Sequence, residues 1–190
     1  MRRTGGTDMT TATSWGATTQ DAAATYRCDE LMPAAPGRWL RAIDVDAPAR
    51  VTFRWVCQLR AVPYSYDWLD NRGRRSPRRP LPWCWDLTAG DDVMTIFTLE
   101  SFEPDRELTV TMKPGSPTVA FGRIALTYRV TPTDRGGRLV SALRTDDPPG
   151  PFAATRRRTL AWGDLVMMRK QLRTLAALAE ADAADGLSGR

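Results

Sequence analysis

The chain has 190 residues, 42% of them hydrophobic and 26% charged, with a formal net charge of +5 and a pI near 9.6. That is the composition of a globular chain long enough to bury a core without disulfides or metal. It contains no histidine, which excludes the Ser-His-Asp triad, the Cys-His pair, His-ligated zinc and the two-His iron site.

Residues 1–25 are dominated by Thr, Ala and Gly with one aromatic, Trp15; so little apolar area predicts a disordered leader. Trp39 to Asp46 alternates apolar and polar residues and reads as a strand. Pro48 is placed to open a helix that carries Val51, Phe53, Val56, Cys57 and Leu59 as far as Arg60. Pro63 starts a second short helix with Tyr64, Tyr66, Trp68 and Leu69, ended by the turn residues Asp70 to Gly73. An Arg/Pro loop over 72–92 follows. Four strand-like runs come next, 93–102, 107–113, 119–131 and 138–145, joined by short turns that favour antiparallel pairing. After Asp146 to Pro151 the pattern becomes helical from Phe152 to Ala184. There Leu160, Ala161, Leu165, Met168, Leu172, Leu175, Leu178 and Ala179 share one broad face, with Arg169, Arg173 and Glu180 opposite. The order of elements defines an α+β protein: a strand, two short helices, an antiparallel meander, and one long helix that must lie on the sheet. The expected division is a leader over 1–25, one domain over 26–184 and a flexible tail over 185–190.

Cys28, Cys57 and Cys84 are too scattered for a disulfide framework or thiolate metal site and read as small buried residues. No metal or cofactor is expected. Lys113 and Lys170 are the only lysines among 27 basic residues. The arginines cluster at Arg72, Arg74, Arg75, Arg78 and Arg79 and again at Arg156 to Arg158, without a recognition motif, so no nucleic-acid partner is expected. No run of 18 apolar residues exists, so no membrane span is expected. The start, Met1-Arg2-Arg3, leads into no apolar segment, which predicts no secretory signal and a cytoplasmic protein.

Three stretches carry a family resemblance: Ile43 to Ala49 (IDVDAPA), Pro63 to Asn71 (PYSYDWLDN) and Trp162 to Leu172 (WGDLVMMRKQL). Over residues 26–182 the chain resembles the START/birch-allergen-like superfamily, which includes polyketide cyclases and lipid-transfer proteins. The resemblance implies a helix-grip fold, in which a curved antiparallel sheet wraps around the long C-terminal helix and a cavity lies between them. Five strands are read here where the family has six or seven, so further strands are expected from 26–34 or 83–91.

The expected partner is a small apolar or amphiphilic molecule, carried or sensed; the alternative is a polyketide cyclase, aromatase or dehydratase. An interaction role for the arginine-rich loop is the third possibility. Tyr64 and Tyr66 present an apolar ring with a polar tip, Met167 and Met168 adapt to irregular neighbours, and Phe97 and Leu99 share one face of their strand. Without histidine, acid–base work would fall to Asp67, Asp164, Glu100, Tyr64, Tyr66 or Tyr128. Asp164 and Gln171 are seven residues apart, nearly eclipsed at about 20°, and lie inside the apolar arc. A carboxylate there needs a partner or a proton; an arginine of the sheet (Arg144) or a tyrosine hydroxyl is the candidate partner. The functional reading is a polar end to the cavity, with Asp164 as proton carrier.

Overall fold

The computed structural model describes residues 11–65, 76–147 and 149–188. Its seven strands are β1 (Ser14–Trp15), β2 (Gly37–Val45), β3 (Asp92–Val93), β4 (Phe97–Glu103), β5 (Glu107–Met112), β6 (Ile124–Thr133) and β7 (Gly136–Thr145). They form one sheet in the order β1-β2-β7-β6-β5-β4-β3. The meander β3 to β7 pairs antiparallel throughout, and β2 pairs with the last strand, β7, over nine residues from Gly37↔Thr145 to Val45↔Gly137. Only β1 runs parallel to its neighbour, making the open sheet mixed.

Because side chains alternate across a strand, each of β2, β6 and β7 has two faces, and here both are buried. On the inner face Trp39, Val45, Leu126, Tyr128, Val130, Leu139 and Leu143 join the main core. That core is closed by helix α3 (Ala49–Cys57) and by the long C-terminal helix, called α5 below (Ala153–Ser188, 36 residues). Ala161, Leu165, Met168, Leu172, Leu175 and Ala179 of that helix are buried, and Leu160 and Leu178 pack at the margin, as the apolar arc predicts. The architecture is the α+β helix grip.

The outer face is covered by residues 11–31, which include the described part of the expected leader; residues 1–10 lie outside the described residues. Residues 11–25 contribute β1 and helix α1 (Thr19–Ala23), followed by α2 (Arg27–Leu31). Thr18 and Asp21 cap α1 reciprocally. Tyr26 and Cys28 enter a second core with Leu40, Ala42, Ala125, Val140 and Ala142. Arg138 of β7 donates to Asp21 at 2.5 Å and to Asp44 at 2.7 Å. A few aromatic and charged anchors thus hold a segment whose average composition is poor in apolar residues. At the other end α5 continues through Ser188, into the stretch expected as a tail.

Two expected strands are split. Residues 93–102 form a hairpin, not one strand, because Met94 and Thr95 both take positive φ (48° and 66°) and fold β3 back onto β4. Residues 119–131 begin with a short helix, α4 (Ser116–Phe121), opened by Pro117 in its first turn. Gly122, at φ 80°, ends it where an added Cβ would lie 2.8 Å from the carbonyl oxygen of Asp146. The additional strands come from 14–15 and 92–93 and not from the expected stretches, which hold α2 and a short 3-10 turn, Pro82–Trp85. After α3 the chain makes a 3-10 turn at Gln58–Arg60. Pro63 does not open a regular helix, since Tyr64 is left-handed at φ 54°. The remainder of that expected helix and Arg72, Arg74 and Arg75 lie outside the described residues. All three cysteines are buried and free. No helix among the described residues is long and apolar enough to cross a membrane.

Candidate functional site

Between the inner face of the sheet and the first half of α5 lies a cavity of about 830 Å³, within the range of small-molecule sites. Its walls are apolar: Trp39, Ile96, Phe97, Met112, Leu126 and Leu143 come from the sheet side, and Leu160, Met167 and Met168 from α5. The rim includes Phe121 of α4 and the left-handed turn at Met94 and Thr95. Gly163 faces the space, and a Cβ built on it meets nothing within 4 Å.

Three polar side chains stand at one end. Asp164 and Gln171 project from the same side of α5, and Tyr128 projects from β6. Tyr128 donates its hydroxyl proton to Gln171 Oε1 at 2.6 Å. Gln171 Nε2 donates to the carbonyl of Pro63 at 2.6 Å and meets Met94 Sδ at 3.5 Å. Asp164 Oδ2 accepts from Arg41 Nη2 at 3.0 Å. Arg41 is almost sealed from solvent, with 1% of its side chain exposed against 19% for Asp164. Its guanidinium also donates to the carbonyls of Leu40, Ala12 and Ala161, while Nε has no partner. Asp164 thus stands at a cavity-lining position with a small part of its side chain exposed.

Burial pushes the Asp164 carboxyl up from its ordinary 3.8 to about 6, with Arg41 opposing the rise. The same burial pushes the Tyr128 phenol well above its usual range, and the nearby Asp164 charge adds to this. The site therefore holds a carboxyl whose proton comes off closer to neutrality than an ordinary carboxyl's, beside a tyrosine that stays neutral.

Of the residues singled out in the sequence, Phe97, Tyr128, Asp164, Met167, Met168 and Gln171 meet at this cavity. Leu99 is buried in the core without lining it, and Tyr64 is buried edge-on against Trp55 at 6.2 Å; its neighbours Pro63 and Ser65 line the space instead. Tyr66 and Asp67 lie outside the described residues. Glu100 is exposed beside an irregularity in the β4–β5 register. The sheet arginine that meets Asp164 is Arg41, not Arg144; on the outer face Arg144 donates to the carbonyls of Met32, Pro33 and Ala35. Arg41 was readable, because alternation in Trp39, Arg41, Ile43 and Val45 places a cation on an otherwise apolar face.

Fold and site together define a helix-grip protein with a mostly apolar, partly open cavity. No protein-family profile matches the chain, and no curated protein does. Solved structures of similar shape include a Mesorhizobium loti protein, 17% identical over 76% of this chain and 97% of that one, with a TM-score of 0.47. A second is the di-domain ARO/CYC StfQ from the steffimycin biosynthetic pathway, 13% identical over 77% of this chain and 51% of that one, TM-score 0.49. A third is a major latex protein family member from Arabidopsis thaliana, 16% identical over 74% and 94%, TM-score 0.41. At such identities and TM-scores these likenesses say nothing about ligand or reaction.

Proposed function

We propose that this protein binds one small, mostly apolar molecule in the cavity beneath α5, as a carrier or sensor. The observation that carries this reading is the cavity itself: about 830 Å³ of space bounded mostly by apolar side chains, between the inner face of the sheet and α5. A pocket of this size with mostly apolar walls and a few polar groups at hand has the character of a small-molecule site. Titration with an environment-sensitive apolar dye is expected to saturate near one site per chain. Displacement by an added alkyl or polycyclic compound locates the dye in the cavity, and failure to saturate overturns the reading.

A second reading is favoured by one specific observation, the raised carboxyl of Asp164 on the cavity wall. A group poised near neutrality is suited to moving a proton to or from a bound carbonyl compound. Incubation with a reactive poly-β-carbonyl chain distinguishes the two readings. A carrier returns the compound unchanged, whereas a cyclase or dehydratase yields a ring-closed or dehydrated product that Asp164→Asn no longer forms.

A further inference from the structure

The polar end of the cavity can be read proton by proton. Pro63 offers only a carbonyl, so the end of the Gln171 amide that faces it at 2.6 Å is the NH₂ group. The other end, facing Tyr128, is therefore the oxygen, and Tyr128 must donate to it. Arg41 has no acceptor, so the Asp164 oxygen that it meets is held as an acceptor. The hydroxyl proton of Tyr128 and the amide protons of Gln171 are thus committed to protein. What remains toward the cavity is Asp164 Oδ1, without a partner, and the unused lone pairs on Tyr128 and Gln171. The Arg41 guanidinium is buried behind Asp164, its terminal nitrogens bonded to backbone carbonyls, and no cation among the described residues lines the space. Ser65 and Thr95 also line the cavity, but a hydroxyl donates and accepts alike and does not discriminate.

Resting on the cavity-binding reading above, we propose that the site selects an apolar ligand that enters with a hydrogen-bond donor, a hydroxyl or N–H group. The same skeleton ending in an ether or a carboxylate is discriminated against. An ether would leave Asp164 Oδ1 unpaired at a desolvated wall, which is the costly case for a buried polar group. A carboxylate would face Asp164 with like charge.

The test uses three probes on one ring system: 2-naphthol, 2-methoxynaphthalene and 2-naphthoate, titrated by calorimetry into the full chain at pH 7.5. The expected result is 2-naphthol bound at least about tenfold more tightly than either of the others. Asp164→Asn sharpens the test. Arg41 would hold the amide oxygen, turning the NH₂ toward the ligand, so the naphthol preference is expected to collapse to within about twofold and 2-naphthoate to gain most. Equal affinities for 2-naphthol and 2-methoxynaphthalene in the native chain, or a preference for 2-naphthoate, would overturn the donor rule and leave the cavity reading intact. Saturable binding of none of the three would overturn both. If Asp164→Asn does not fold, the native-chain ranking decides alone.

Discussion

The two faces of β2, β6 and β7 are built by the same alternation and end in opposite states. On the outer face small side chains, Ala42, Ala125, Thr127 and Ala142, let α1 and α2 approach until Cys28 bonds Thr127 and the carbonyl of Ala142 directly. On the inner face larger side chains leave a cavity. Each face also buries a carboxylate against an arginine, and these behave oppositely. For Asp21, burial works to raise the pKa, but bonds from Arg138 and Thr18 prevail and hold it below the ordinary range. For Asp164, burial wins over Arg41. The outer pair is reinforced by the α1 cap and a second bond on each partner, whereas the inner carboxylate has one arginine and an empty side. Satisfied hydrogen bonding marks the part of the sheet that only holds the fold; the unsatisfied carboxylate marks the part left for something else.

The contrast can be broken most forcefully on the outer face. Tyr26→Ala removes a ring that is 2% exposed and stacked under Arg129 at 4.4 Å. It is expected to cost about 3–5 kcal/mol in urea unfolding while leaving dye affinity in the cavity unchanged. Parallel loss of binding at temperatures where the variant is folded would show that the two faces are coupled. On the inner face, Arg41→Met strands Asp164 and is expected to cost about 3 kcal/mol at pH 8. The loss should shrink at pH 5, where the carboxyl takes up a proton.

The pH dependence then separates the two carboxylates by sign. Asp164 binds its proton more tightly folded than unfolded, so its contribution to stability falls as pH rises from about 4 to about 6, by up to about 1.4 kcal/mol per unit. The charged or titratable groups facing it are Arg41 from β2 and Tyr128 from β6. Asp21 works the other way: its contribution is present above its ordinary pKa and lost as pH falls. Chemical denaturation between pH 3 and 8 should therefore lose its downward slope between 4 and 6 in Asp164→Asn and its acid limb in Asp21→Asn. If each variant changes the other's limb, the assignment is reversed. The smallest effect on stability comes from Gly163→Leu, expected to gain about 0.5–1 kcal/mol by replacing a mid-helix glycine. Its side chain grows into the open space, so dye binding should fall sharply. Unaltered binding would mean that the dye sits elsewhere.

Much of this was legible in the chain. The apolar arc of α5 and the alternation of β2, β6 and β7 follow directly from periodicity, because burial against a partner obeys the same period. Asp164 and Gln171 stood out since they interrupt that arc. The hairpin at Met94-Thr95 was not legible: Thr is a β-branched residue that seldom takes positive φ, and continuous strand pattern ran through it. Pro117 and Gly122 did bound α4, but the apolar run Val119 to Phe121 masked them. Arg41's partner lies 123 positions away and depends on how α5 sits along β2, which no local pattern encodes. The elements in residues 11–25 were not legible, because average composition hides a few anchoring side chains such as Trp15 and Asp21.

The outermost strands, β1 and β3, are two residues long each. An unpaired strand is a template on which another chain can extend the ladder, and a long, flat one invites fibre growth. Here the nine-residue β2 and seven-residue β4 are each partly covered by a stub too brief to recruit a neighbour. β1 is further fastened by Trp15, whose ring lies under Arg169 and Arg173 at 5.2 and 5.4 Å. The described sheet is open, with room for a cavity on one side, and each of its long margins is interrupted by a short stub.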